Sequence, residues 1–380
     1  MSRIIVISGR RNGRREPLHN IKMINQQVKT NLIELTKDEL ALWLTGKKIE
    51  AYRADQILKW IYLRQAETFE EMTDLGLEIR RLASQYFSIN RLEKEKIETS
   101  RDGSKKYLYR LTDGNYIESV LIPEKDHYTL CISSQVGCAQ GCRFCLTSTG
   151  GFVRNLTKSE IISQVRDIQK ELEDPLRLTN IVLMGMGEPL ANYKNVVGAI
   201  NTITSVDAGL AFSPRRVTLS TAGLVPFLDN LGRDTRVNLA VSLNATDNKT
   251  RDILMPVNRK YPIEVLVEAC RRYILKPRNR ITFEYILIKG INDSPDDAKR
   301  LAGLLRPVKS KINLIPFNEH EKSEFKRPEE RVIRAFQDIL VKKNYTAVIR
   351  RSKGQDISAA CGQLRARSMS PEFPGSSPDC

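Results

Sequence analysis

Between residues 128 and 350 the chain alternates short apolar runs with helical stretches. The runs are Tyr128–Ile132, Ile181–Met184, Val217–Leu219, Val237–Val241, Ile281–Ile288, Ile312–Ile315 and Thr346–Ile349. Amphipathic stretches such as Ser159–Leu172, Ile263–Leu275, Ser294–Leu305 and Pro328–Lys343 fall between them. Alternation of this kind predicts a parallel sheet with helices packed outside it. The sheet can close as a full or partial barrel, or stay open and doubly wound. Either way, functional groups belong at the C-terminal ends of the strands.

The regions flanking this core read differently. Residues 1–30 carry Arg3, Arg10, Arg11, Arg14, Arg15, Lys22 and Lys29 against the single acid Glu16, a flexible basic arm. Thr36 with Glu39 forms a capping box that starts a helix. Leu40, Trp43 and Leu44, then Ile57, Trp60 and Ile61, then Leu75, Ile79 and Leu82, predict three short amphipathic helices within 31–90. Arg53, Lys59, Arg64, Arg80 and Arg81 leave their outer face basic. Within 91–127, Lys106–Leu111 and Tyr116–Ile122 flank Thr112-Asp113-Gly114-Asn115, a hairpin signal, with Glu118 inside the second strand. The barrel region spans 128–366, and 367–380 reads as a disordered tail.

Composition excludes several classes. There are 61 Lys and Arg against 45 Asp and Glu, a net charge of +16, which points to a polyanionic partner such as nucleic acid. No apolar run approaches the ~18 residues of a membrane span, and no secretory signal is evident, so a cytosolic location is expected. The three histidines, His19, His127 and His320, are too few for a histidine-rich metal site. Seven cysteines do not look like a disulfide scaffold.

Three of the seven stand together in Cys138-Ala139-Gln140-Gly141-Cys142-Arg143-Phe144-Cys145. At this cysteine frequency a C-x3-C-x2-C pattern is expected by chance roughly 0.002 times in the chain. Structural zinc requires four protein ligands, which a distant residue such as Cys131 could complete. Three thiolates on a [4Fe–4S] cluster leave one iron open to substrate or cofactor, and this reading is preferred. Gly185-Met186-Gly187-Glu188-Pro189 follows one strand; its glycines allow close backbone approach, and Glu188 can accept from an ammonium group. Ser220, then Ser242-Leu243-Asn244, then Asn318 add polar groups after three further strands, a pattern that suits a ribose and a carboxylate. Cys270 is expected in the core, beside Leu266 and Tyr273.

The cysteine motif, with Phe144 before its last cysteine, resembles the radical S-adenosylmethionine superfamily. Ser133-Ser134-Gln135-Val136-Gly137, the segment Asp356 to Leu364 around Cys361, and the elements Tyr52-Arg53-Ala54, Trp60-Ile61-Tyr62 and Phe69-Glu70-Glu71-Met72-Thr73 are similar to the subfamily that methylates adenine in RNA. The likeness spans roughly 32–365. It implies a partial (β/α)6-type barrel with a small N-terminal helical RNA-binding domain and a β-hairpin extension. It implies Cys138, Cys142 and Cys145 as [4Fe–4S] ligands, and Gly187, Glu188, Ser220, Ser242, Leu243, Asn244 and Asn318 as S-adenosylmethionine contacts.

The chemistry implied is unusual, because adenine C2 is electrophilic. One S-adenosylmethionine methylates Cys361; a second, cleaved reductively, yields a 5′-deoxyadenosyl radical that takes hydrogen from the S-methyl group. The methylene radical adds to the base, Glu118 removes the ring proton, and Cys131 resolves the adduct as a Cys131–Cys361 disulfide. The resemblance implies 23S rRNA (an adenine of the peptidyl-transferase region) and tRNA (the adenine 3′ of the anticodon) as substrates. It also implies a donor such as a flavodoxin or ferredoxin, and a monomer is expected. A sister branch that methylates C8 of the same ribosomal adenine, a zinc-stabilised RNA-binding protein, and a radical enzyme acting on a small molecule are the competing readings.

Overall fold

The computed structural model describes residues 29–320 and 323–365; the basic arm up to residue 28 and the 367–380 tail lie outside them. One sheet of ten strands organises the chain, with spatial order the reverse of chain order. Its strands are β1 (Glu93–Thr99), β2 (Lys105–Arg110), β3 (Tyr116–Pro123), β4 (Tyr128–Cys131), β5 (Leu178–Leu183), β6 (Val217–Thr221), β7 (Asn238–Ser242), β8 (Ile281–Leu287), β9 (Ser310–Pro316) and β10 (Ala347–Ile349). From β4 to β10 every pairing is parallel, and from β1 to β4 every pairing is antiparallel. This is a partial barrel of six β/α units plus a short last strand, with β1 and β10 as free edges.

Strand β8 shows how the sequence builds the wall. Ile281, Phe283, Tyr285 and Leu287 are fully buried and face the helices. Thr282, Glu284 and Ile286 alternate with them and face the interior. The helices are amphipathic to match: Glu330–Lys342 buries Ile333, Phe336 and Leu340, and the Phe336 ring lies 5.4 Å from that of Tyr285. Cys270 is buried beside Leu266 and Tyr273, as expected. The predicted hairpin forms but extends the barrel sheet rather than standing as a separate linker. Strand β1, Glu-Lys-Glu-Lys-Ile-Glu-Thr, gave no apolar signal, because it is an exposed edge whose charges discourage further pairing.

The N-terminal helices α1 (Lys37–Gly46) and α2 (Arg53–Tyr62) follow the predicted pattern, whereas α3 (Leu77–Tyr86) starts after Leu75, leaves Ile79 and Leu82 half-buried and buries Ala83. Thr36 and Glu39 make both bonds of the capping box, and Leu40, Leu44, Ile57 and Ile61 are fully buried. The module docks on α4 (Lys158–Glu171), the helix after β4: the Lys158 ammonium donates to Leu35 O at 2.9 Å and Arg166 to Ala66 O at 2.8 Å.

The segment after β10 closes the gap between the sheet edges. Asp356 accepts from Ser100 Oγ at 2.6 Å and Arg101 N at 3.1 Å, Asp102 from Gly354 N at 2.7 Å, and Lys106 donates to Ile357 O at 2.6 Å. Lys353 donates to Pro123 O and lies 3.3 Å from Glu124. These bonds carry Cys361 across to the barrel mouth. Burial alone would raise the Asp102 carboxyl, but donors from Gly354 and Ser104 outweigh it and hold it at about 2. A depressed carboxyl stabilises above its ordinary value of ~3.9 and loses that contribution as pH falls through the folded value. Asp102→Ala should therefore speed hydrogen exchange across 354–361 about tenfold at neutral pH and leave the barrel strands protected. In the native protein the same opening should develop below about pH 4 and be complete near pH 2.

Candidate active site

The cysteine loop leaves β4 and is braced by a two-stranded ribbon, Gln135–Gly137 against Phe152–Asn155. Gly137 takes φ +74°, and a Cβ there would lie 1.9 Å from Gly151 O, so only glycine fits. Cys138 N donates to Gly151 O at 2.8 Å, and Ser148 Oγ bonds the carbonyls of Cys142 and Cys145. The polar lead-in explains itself here. Ser133 Oγ donates to Glu118 O at 2.6 Å and accepts from Met186 N at 2.9 Å, while Gln135 Oε1 accepts from Glu188 N at 2.8 Å. These bonds lock the cysteine loop to the Gly185–Pro189 turn. A Cβ on Gly187 would meet Gln135 Cβ at 2.5 Å.

The three thiols line a cavity of about 140 Å³ at the strand C-termini, together with Gly187, Glu188, Ser220, Ser242 and Cys361. Burial pushes the Cys138 thiol up to about 12 and the Cys142 thiol well up. Among the described residues no three His, Cys, Asp or Glu side chains converge on a single ion position. Thiols spread around a cavity suit a polynuclear cluster, in which each takes a different iron, rather than tetrahedral zinc.

The other expected contacts are placed unequally. The Glu188 carboxylate is buried and accepts from Thr221 Oγ1 at 2.8 Å, Ala222 N at 2.7 Å and Leu190 N at 2.9 Å. Burial raises its pKa against those three donors, and one lone-pair direction remains for an ammonium group. Leu243 and Asn244 lie behind the cavity wall; Asn244 accepts from Ile286 N at 2.8 Å and donates to Met255 Sδ. Asn318 Nδ2 donates to Cys361 O at 3.1 Å, so it positions the Cys361 turn.

Cys361 sits at the junction of this cavity with a second one, of about 250 Å³, which also contains Cys131. Burial raises the Cys361 thiol to about 11, helped by Glu284 and Cys145 and opposed by Arg350. Burial likewise raises Cys131. Leu146 N donates to Gly362 O at 2.7 Å, tying the cysteine loop to the Cys361 turn. Glu118 is outside both cavities. It accepts from Arg365 N at 2.7 Å, lies 3.5 Å from the Lys106 ammonium, and is raised by burial.

Two residues escaped the sequence reading. Arg251 is fully buried, with no carboxylate ion pair among the described residues; it donates to the carbonyls of Ala222 (2.8 Å), Ser242 (3.2 Å) and Leu243 (3.0 Å), joining the ends of β6 and β7. Glu284 lines both cavities. Its signal was a carboxylate at an inward position of an otherwise apolar strand.

With this geometry in place, relatedness decides the family. A Radical SAM superfamily profile matches residues 132–302, and a profile of the ribosomal RNA large subunit methyltransferase N-terminal domain matches 30–89. A dual-specificity RNA methyltransferase RlmN of Desulfosudis oleivorans is 59% identical over 332 residues, covering 87% of this chain and 90% of that protein. The protein of the same name from Geobacter sulfurreducens is 56% identical, covering 88% and 91%. This chain belongs to the RlmN family. A crystal structure of a radical SAM methyltransferase from Sphaerobacter thermophilus shares 43% identity and superimposes with a TM-score of 0.84 over 89% of this chain and 100% of that one.

Membership in a radical SAM family implies a [4Fe–4S] cluster and S-adenosylmethionine, and three soft thiols beside a glycine-lined cavity fit both. Gly137→Ala should cost about 2 kcal/mol in strain and displaced backbone. Purified anaerobically, that variant should hold under about one tenth of the iron of the parent protein while its far-UV spectrum stays folded.

Proposed function

We propose that this enzyme methylates C2 of an adenine in 23S rRNA, in the peptidyl-transferase region, and of the adenine 3′ of the anticodon in tRNA. The observation that carries the reading is the place of Cys361, between the three clustered thiols on one side and Cys131 on the other. A covalent relay needs that order. Cys361 must meet the methyl donor first, then hold the RNA base, and then meet a second thiol.

Cys138, Cys142 and Cys145 would hold a [4Fe–4S] cluster, which would supply reductive cleavage of one S-adenosylmethionine per turnover, while another gives its methyl group to Cys361 by polar displacement. Gly187, Glu188, Ser220, Ser242, Leu243, Asn244 and Asn318 form and support the S-adenosylmethionine pocket, and Arg251 holds two of its strand ends in register. Cys361 accepts the methyl group on sulfur and carries the one-carbon unit to the base as a thioether. Glu118 takes the ring proton; a carboxylate whose proton affinity is raised by burial suits that role. Its Oε2 accepts from Arg365 N, so the hold on Glu118 is shared with the segment that bears Cys361. Once the adduct has given back the one electron spent in the cleavage, Cys131 attacks the Cys361 sulfur, the S–C bond breaks, the one-carbon unit takes a proton to become the methyl group of the freed RNA, and a dithiol reductant reopens the Cys131–Cys361 disulfide.

The helical module and the basic surface suit RNA phosphates. Lys59, Arg64 and Arg81 are exposed, and the Arg64 guanidinium lies 4.1 Å from the Trp60 ring centre. No helix among the described residues is long and apolar enough to cross a membrane. A cytoplasmic monomer served by a flavodoxin or ferredoxin is the working arrangement.

Anaerobic incubation with labelled S-adenosylmethionine and 23S rRNA should give 2-methyladenosine, and 8-methyladenosine alone would refute the C2 assignment. Cys361→Ala should give no product. Cys131→Ala and Glu118→Gln should accumulate an RNA–protein adduct and lose turnover ~100-fold or more.

A further inference from the structure

We infer that Glu284 and Asn313 read the target base: beside Cys361, with Glu284 at the junction of the two cavities and Asn313 in the second, the pair recognises the amino group and N1 of an adenine and so turns C2 toward the sulfur. This deepens the function proposed above and rests on it.

The second cavity is the deeper part of the barrel interior. It is lined by inward positions of successive strands, among them Thr218 on β6, Thr282 and Glu284 on β8, and Lys311 and Asn313 on β9. Glu284 and Asn313 face each other directly in the β8–β9 register, so a carboxylate and an amide stand side by side. The Glu284 carboxylate makes no ion pair with any described residue. Asn313 and Arg350 are the polar groups that act on it, against burial. The carboxylate already accepts from Asn313, and as a half-buried group facing the cavity it keeps further acceptor positions for a donor from outside the protein.

The proposed chemistry puts the base on this side of Cys361. Cys131 lines the second cavity and not the first, and the adduct has to leave Cys131 a route to the Cys361 sulfur. Around adenine the atoms run C2, N1, then C6 with its amino group. With C2 at Cys361, N1 and the amino group fall to neighbouring wall groups. A carboxylate accepts from the amino group, and an amide can donate to N1. Guanine presents an acceptor oxygen in place of the amino group, and that oxygen would face the carboxylate. Arg350, Arg351 and Lys353 border the same cavity and suit the nucleotide's phosphates. An extruded base is read in this way, by hydrogen bonds to its Watson–Crick edge.

The test compares two hairpin RNAs, identical except that the one unpaired target adenine is replaced by purine, which lacks the amino group. Their binding to the full-length protein is measured by fluorescence anisotropy, each hairpin on its own. The parent protein should bind the adenine hairpin about 10- to 100-fold more tightly than the purine hairpin. Glu284→Ala should bring that ratio close to one by weakening the adenine hairpin alone, with binding of the purine hairpin staying within about threefold of the parent, as expected of a group that reads the amino group. Glu284→Gln keeps one acceptor and should restore part of the ratio. An unchanged ratio in both variants, a parent that does not discriminate, or an equal loss of binding for both hairpins would overturn the assignment. If the parent methylates no RNA, the functional reading falls, and the binding ratio still judges Glu284.

Discussion

The packing of residues 350–365 into the gap between the sheet edges is the interaction on which the site depends. A barrel of six β/α units leaves its first and last strands unpaired to each other, so its interior is open along one side. Here the gap is filled by a turn pinned to β1–β3 through Ser100, Arg101, Asp102 and Lys106. That turn delivers Cys361 to the mouth and ties it to the cysteine loop through Leu146 N and Gly362 O. It also covers Glu118. One irregular segment thus fills the gap, holds the Cys361 thiol at the mouth and covers the Glu118 carboxylate. It is held by these hydrogen bonds together with the burial of Ala359, Ala360 and Leu364.

Burial does much of the electrostatic work. It raises the thiols of Cys131, Cys138 and Cys142 and the carboxyl groups of Glu118, Glu188 and Glu284. Each of these groups has a charged or donor neighbour that pulls the other way. Arg251 is the converse case, a cation without a carboxylate, with burial holding it down to about 10 and the Cys142 thiol opposing that shift. A thiolate cluster would supply the missing negative charge. The strand ends that Arg251 joins are those that carry Ser220 and Ser242, so the same side chain links cavity shape to cluster charge.

The sequence showed much of this in advance, for specific reasons. Seven parallel strands were legible because both faces of each are covered, which demands near-continuous apolar runs. The Thr36–Glu39 capping box was legible because its bonds are local. The β1 strand was not, since an edge needs no apolar face. Cys131, Cys361 and Glu118 drew notice only through family likeness, because nothing in their local sequence sets them apart. Glu284 was passed over because inward and outward positions of a strand cannot be told apart until the barrel gives them a direction.

What the sequence determined alone was the class of architecture and the three-thiol loop. Both arise from periodicity and spacing, which act over a few residues. Tertiary structure decided which groups meet. It put Cys361 between Cys131 and a loop more than two hundred residues earlier, drew Asn244 into the wall, and left Glu118 under Arg365. Those placements depend on how six crossovers and one seam-filling turn pack together, and such long-range closure leaves no mark on local pattern.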